Sequence, residues 1–183
     1  MTAWTLWITG LPGSGKSTLA NVLAHRLKTK EIHIQILSVD VLRRVMTPKP
    51  SYSEEERENV YATIVYVASL LNQNGVNTII DGTGNLRKYR ELACKTLRNF
   101  AIAYAKCSLE ISMKRESGRR NFYGAPADIY RKGQTSKSKT VPGLNVPYEE
   151  PLDAEVVVFT DRQTIEETVE ILFNFVLNIL EKR

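Results

Sequence analysis

The sequence predicts an α/β fold of the P-loop type: a doubly wound parallel sheet covered by helices on both faces. Three observations predict it. Short apolar runs alternate with longer amphipathic stretches, as in a sheet built from strand–helix–strand units. The runs are apolar at consecutive positions rather than at every second one, which strands buried on both faces require. The first run passes directly into a glycine-rich turn, GLPGSGKS at 10–17, which satisfies GxxxxGK[ST].

The elements follow in chain order. Residues 4–9 (WTLWIT) read as the first strand and 16–29 as a helix. Residues 32–37 (IHIQIL), 76–81 (VNTIID), 101–107 (AIAYAKC) and 155–159 (EVVVF) supply four further strands. Helices are expected over 54–73, 87–98 and 109–118, and a last one over 163–181. That last helix would carry Ile165, Val169, Leu172, Phe173, Val176 and Ile179 or Leu180 on one face. Ser53 and Glu56 have the spacing of a capping box at the start of the 54–73 helix. The one irregular stretch is 117–150, rich in Gly, Pro, Ser, Lys and Arg. A loop of that length inside a compact domain reads as a lid. With no repeat and no linker, residues 1–183 are expected to form one domain.

Composition narrows the function. The chain has 183 residues, 43% hydrophobic and 25% charged, which suits a soluble domain able to bury a core. No run approaches the ~18 apolar residues of a membrane span. The start, MTAWTLWITG, lacks the basic opening of a secretion signal. Cys94 and Cys107 stand in no metal-binding spacing and read as free thiols. The cytoplasm is therefore the expected location, with no membrane partner. The net charge of +5 is concentrated. Residues 114–139 hold Lys114, Arg115, Arg119, Arg120, Arg131, Lys132, Lys137 and Lys139 against Glu116 and Asp128. Such a local surplus favours an element that closes over phosphates or sulfates and makes a nucleic-acid partner unlikely.

The glycine-rich turn assigns ATP and Mg²⁺. Gly10, Leu11, Pro12, Gly13, Ser14 and Gly15 are expected to wrap the β-phosphate, the three glycines clearing side chains from its path. The helix that follows adds the positive end of its dipole. Lys16 would bridge β- and γ-phosphate oxygens, Ser17 would ligate Mg²⁺, and Thr18 would reach the α-phosphate. No NKxD and no room for switch regions are present, so a small kinase fits better than a GTPase.

Candidate acceptor-side residues lie after the second and third strands, where the ligand crevice of an open α/β sheet opens. Asp40 would sit near the γ-phosphate if its strand neighbours the first, either taking a proton from the acceptor or holding Mg²⁺. Arg43 follows on the same helical face. The plainer reading makes Asp40 a helix cap and leaves Arg43 exposed. Asp81, which opens DGTGN, is a second candidate for the base or the metal, and the glycines after it would let a ligand approach the backbone. Arg87 and Arg90 could grip an anion or be solvated. Arg57 and Asn59 would face the crevice if their helix packs beside it.

These strings together resemble the adenylylsulfate kinase family, over residues 4 to 160. GLPGSGKS is similar to the family's GLSGAGKS, and SVDVLR to DGDxxR through Asp40 and Arg43. YSEEEREN is similar to FSxxDRxxN through Tyr52, Ser53 and Arg57, with Asn59 one residue nearer to Arg57 than in the family. Arg87 and Arg90 keep the spacing of SPxRxxR, although Gly82-Thr83-Gly84-Asn85 replaces the serine. Ile129-Tyr130-Arg131-Lys132 resembles LYKKA, and Pro142 to Pro151 (PGLNVPYEEP) resembles TGxxxPYExP. The resemblance implies transfer of phosphate from ATP to the ribose 3′-hydroxyl of adenosine 5′-phosphosulfate (APS), within sulfate assimilation. It implies acceptor binding by Asp40, Arg43, Tyr52, Arg57, Asn59, Arg87, Lys132 and the position of Val141, and it admits a homodimer. At 141 the family has an aromatic residue that stacks on the adenine; here only Tyr52 keeps a ring. The lid also gains a stretch near Ser117–Pro126. The residues leave two other readings open: a P-loop kinase for a small alcohol, an amino-acid hydroxyl or a nucleic-acid end, and an ATP-binding module without turnover.

Overall fold

The computed structural model describes residues 3–119, 123–135 and 137–180. Arg120, counted above in the basic segment, lies outside the described residues, as does the side chain of Ile179. Five parallel strands form one sheet: β1 (Thr5–Thr9), β2 (Ile34–Ser38), β3 (Asn77–Asp81), β4 (Phe100–Lys106) and β5 (Val156–Phe159), in the order β2-β3-β1-β4-β5. The helices are α1 (Lys16–Lys28), α2 (Val39–Met46), α3 (Glu54–Gln73), α4 (Arg87–Thr96), α5 (Leu109–Ser117), α6 (Ile129–Gln134) and α7 (Ile165–Phe175). All five predicted strands and the five predicted helices are present. The last helix stops short of its predicted end: after Phe175 it widens into a π-helical turn over Val176–Leu180.

The central strand alternates across the two layers as strand geometry requires. Leu6 and Ile8 of β1 join a core with Leu19, Leu23 and Leu27 of α1 and Leu172 and Phe173 of α7. Trp7 points to the other face and joins Val60, Ile64 and Val65 of α3 and Tyr89 of α4. The edge strands β2 and β5 are partly exposed, whereas β1 is buried throughout. Among the described residues, no helix is long and apolar enough to cross a membrane.

Two helices go beyond the five expected: the sequence predicts only a helical turn after Asp40 for the first and a loop for the second. α2 begins inside SVDVLR, where Ser38 caps it by accepting from the backbone N–H of Val41. Asp40 is therefore in the first turn of α2 and is not its cap. α6 lies inside the expected loop 117–150 and packs on α5, so that stretch is partly ordered by the fold. At Ser53 the hydroxyl does accept from Glu56 N, but the Glu56 carboxylate turns away to other partners, so the capping box is only half formed. A complete one occurs at Thr164 and Glu167 of α7.

The strand order corrects one expectation about the site. β2 pairs with β3, and it is β3 that pairs with β1. Asp81, in register with Ile8, is the carboxylate beside the glycine-rich turn, and Asp40 stands one strand further out.

Candidate active site

The C-terminal ends of β1, β2 and β3 open into one cavity of about 770 Å³. Its floor is the turn after β1. Pro12, Gly13, Gly15, Lys16, Ser17 and Thr18 line it. Gly10, Leu11 and Ser14 do not. A Cβ on Gly10 would lie 2.5 Å from the Ala105 carbonyl, and one on Gly13 would lie 2.2 Å from that of Ser112. Those two glycines let the turn sit against β4 and α5. Of the three glycines, only Gly15, at a φ of 96°, would send a side chain into open space.

Lys16 is 8% exposed, and its Nζ donates to the Leu11 carbonyl at 2.8 Å. Burial lowers its pKa, with Asp81 and then Asp40 opposing that shift. A buried ammonium beside the N-terminus of α1 is a site for an anion, because the first-turn N–H groups and the ammonium both favour negative charge there. Asp81 is 6% exposed; burial raises its pKa, while Lys16 and a hydrogen bond from Ser17 act against that rise. Ser17, Lys16 and Asp81 thus form one polar group at the mouth of α1. The described residues contain no cluster of three or more His, Cys, Asp or Glu. One carboxylate, one hydroxyl and a ligand's phosphates are the kind of donor set Mg²⁺ takes, so the residues present fit that ion.

The opposite wall comes from α2, α3 and the segment between them. Asp40, Arg43, Tyr52, Arg57 and Tyr61 all line the cavity. Arg43 is buried and ion-paired with Glu56, contrary to the reading that left it exposed. Its guanidinium lies 4.8 Å from the centre of the Tyr52 ring, and that of Arg57 lies 5.8 Å from it. Arg57 donates to the Tyr52 carbonyl at 3.1 Å, to Asn85 Oδ1 at 3.2 Å and to the Thr140 carbonyl at 2.6 Å. Asn59 is exposed and outside the cavity. Arg57 and Tyr61 are one helical turn apart and share the inner face of α3, whereas two residues turn Asn59 to the far side.

The other candidates divide in the same way. Lys132 and Val141 line the cavity, with Lys132 Nζ on the Ala127 carbonyl and Val141 buried. Arg87 is exposed and outside it, contributing a backbone N–H to Glu149 Oε2 at 2.5 Å. Arg90 is 2% exposed and committed to the carbonyls of Gly84 and Glu149. Neither is placed to grip an anion in the cavity. The glycines after Asp81 serve the protein's own packing: a Cβ on Gly82 would meet Val39, and one on Gly84 would meet Trp7.

Several contributors escaped the sequence reading. Asn85 joins Arg57 to the Pro147 carbonyl. Tyr148 reaches Thr9 at the end of β1, and Glu149 N donates to the Asn85 carbonyl at 2.8 Å. The string PGLNVPYEEP therefore acts as a strap across the DGTGN turn. Tyr130 of α6 donates to the Pro12 carbonyl at 2.8 Å, joining the lid to the glycine-rich turn. Behind that turn, Arg115 holds the Thr160 carbonyl at 2.6 Å and borders a second cleft of about 370 Å³ with Ser14, Gly15, Thr18 and Gln163.

The family model for adenylylsulphate kinase matches residues 2–159. This chain belongs to that family. It is 37% identical over 160 residues to a probable adenylyl-sulfate kinase of Archaeoglobus fulgidus, covering 87% of this chain and 97% of the relative. It is 33% identical over 172 residues to the adenylyl-sulfate kinase of Oceanobacillus iheyensis, covering 93% and 82%. The fold is also that of the Mycobacterium tuberculosis APS kinase solved with AMPPNP and APS: the TM-score is 0.85 at 24% identity, covering 96% of this chain and 98% of that one.

Proposed function

We propose that this adenylylsulphate kinase family member transfers the γ-phosphate of ATP to the 3′-hydroxyl of APS. The observation that carries the reading is one continuous cavity with two unlike halves. One half is a phosphate cradle built on Lys16, Ser17 and Asp81; the other is the aromatic face of Tyr52 backed by Arg43 and Arg57. A polyphosphate suits the first half and a nucleotide base the second, because stacking on a ring is available to any base. The names of the curated relatives point to APS as that nucleotide.

Each residue then has a distinct task. Lys16 exchanges the Leu11 carbonyl for phosphate oxygens and offsets the charge that develops on them during transfer. Ser17 and Asp81 would hold Mg²⁺, which when bound neutralises charge on the β- and γ-phosphates. Asp40 lines the same cavity as Lys16 and Tyr52, and its charge acts on both. We assign it as the base that accepts the proton of the attacking hydroxyl. The second cleft, beside Thr18 and Arg115, suits the adenine of ATP. Closure of the basic segment keeps water from the transferred phosphate. Residues 1–183 would act as one catalytic domain in cytoplasmic sulfate assimilation.

Calorimetry of APS against the protein saturated with ADP and Mg²⁺ tests the acceptor half directly. The reading expects saturable binding that Tyr52→Ala weakens by about 1–3 kcal/mol, the range of one stacked base. No binding of APS by the native protein would remove APS as the acceptor.

A further inference from the structure

The geometry points to Glu56 as the residue that positions the acceptor shelf, a role that rests on the proposed place of Tyr52 against the acceptor base. The Glu56 side chain is 10% exposed. Its Oε2 accepts from Ser51 N at 2.6 Å, Ser51 Oγ at 2.7 Å and Tyr52 N at 3.1 Å. Its Oε1 accepts from the Arg43 guanidinium and, at 3.5 Å, from Thr47 Oγ1. One carboxylate thereby gathers the end of α2, the connection after it and the first turn of α3.

Tyr52 is the residue that needs such support. It is not glycine, yet its φ is 55°, in the left-handed region that costs a residue with a Cβ. Its backbone is held from both sides, by Glu56 at N–H and by Arg57 at the carbonyl. Its ring rests on the guanidinium that Glu56 has already fixed. Glu56 does not itself line the cavity, so it acts through Tyr52 and Arg43, which do.

The partners also define what chemistry can stand at 56. The backbone N–H groups and the guanidinium can only donate, and both carboxylate oxygens are used. An ionised carboxylate is acceptor-only, whereas an amide must present an NH₂ on one side. Glu56→Gln keeps the shape but sets donors against either Arg43 or the two backbone N–H groups. Burial raises the pKa of Glu56, but the hydrogen bonds from Ser51 and Tyr52 and the charge of Arg43 outweigh it, and the net direction is down.

The experiment combines steady-state kinetics with a double-mutant cycle on the full chain, using Glu56→Gln, Tyr52→Ala and both together. Glu56→Gln should raise the KM for APS about tenfold, within the range that loss of one stacking face allows, and leave the KM for ATP within about twofold. In the Tyr52→Ala background the same change should cost much less, because its main route of action is gone. Full additivity, or equal effects on both substrates, would overturn the role. Should Tyr52→Ala leave the APS KM unchanged, the acceptor reading itself fails; should Tyr52→Ala act while Glu56→Gln does not, only the role of Glu56 fails. Should Glu56→Gln not fold, hydrogen exchange on the unmodified, ligand-free protein decides. The N–H groups of Ser51 and Tyr52 should be protected through the Glu56 carboxylate, and exchange at the rate of an open loop would overturn the proposal.

Discussion

Arg57→Met should loosen three parts of the site at once. Arg57 is 7% exposed and donates to Tyr52, Asn85 and Thr140, which lie before α3, after β3 and at the end of the basic segment. Methionine keeps most of the volume and none of the donors. Hydrogen bonds from a charged group are worth roughly 1.5–3 kcal/mol each when lost. Two effects reduce the sum. The charge of Arg57 is itself disfavoured by burial, which lowers its pKa, so its removal relieves some desolvation. The cavity also lets water reach part of the vacated acceptors. A net loss of about 3 kcal/mol follows, which for a chain of this size lowers the melting temperature by roughly 6–12 °C. Thermal melting followed by circular dichroism measures it. The same variant should raise the KM for APS more than that for ATP, since Tyr52 and Thr140 border the acceptor half. A melting temperature within about 2 °C of the native value would refute the claim that these bonds tie the segments together.

Lys16→Ala should cut turnover by at least about 10³-fold, the scale of losing a main electrostatic stabiliser, while the protein still folds; near-native turnover would contradict the cradle. Asp81→Asn should also abolish most turnover, yet stabilise the ligand-free protein near neutral pH. The sign follows from burial raising the Asp81 pKa above its ordinary 3.8. The stability linked to that shift is complete below the unfolded value and is lost as pH rises through the folded one. The variant's advantage in melting temperature should therefore shrink as pH falls toward and below 3.8, and a variant less stable at every pH would contradict it. Asp40→Asn should lower kcat far more than it raises the KM for ATP, as loss of a base does; a mild effect, with Asp81→Asn alone damaging kcat, would reverse the two roles.

Much of the fold was legible because its signals are local. The β1 run, the glycine-rich turn and the 54–73 helix each depend on neighbours within one element. Sheet order is not local. Nothing in VNTIID says that β3 inserts between β1 and β2, and that insertion decides which aspartate stands beside Lys16. The two additional helices have related causes. α2 is only eight residues long and directly follows β2, so its pattern merged with the strand's end. α6 is six residues long inside a glycine- and lysine-rich stretch, and it is held by Ile129 N on Glu116 and Tyr130 on Pro12.

At the site, residue type was a better guide than orientation. The family strings brought Arg43, Tyr52, Arg57, Lys132 and Val141 to the cavity, but spacing alone could not exclude Asn59 or Arg87. A two-residue step turns Asn59 off the inner face of α3. Arg87 opens α4, where its backbone rather than its guanidinium is used, and Arg90 is taken up by two carbonyls. Glu56 was read in another role for the opposite reason. Its sequence context fits a helix cap fully, and only the fold reveals that its carboxylate serves Arg43, Ser51 and Tyr52 instead.

Transfer of phosphate from ATP to APS is tested most directly by following the phosphate itself. The native protein is incubated with ATP labelled at the γ-position, Mg²⁺ and, in separate reactions, APS, serine, inositol, a 5′-hydroxyl RNA or no acceptor. The products are separated and the labelled one identified. The expected result is label on the 3′-position of adenosine 5′-phosphosulfate, dependent on APS, with little free phosphate released in its absence. Label on another hydroxyl with none on APS, or no transfer to any of them, would contradict the account.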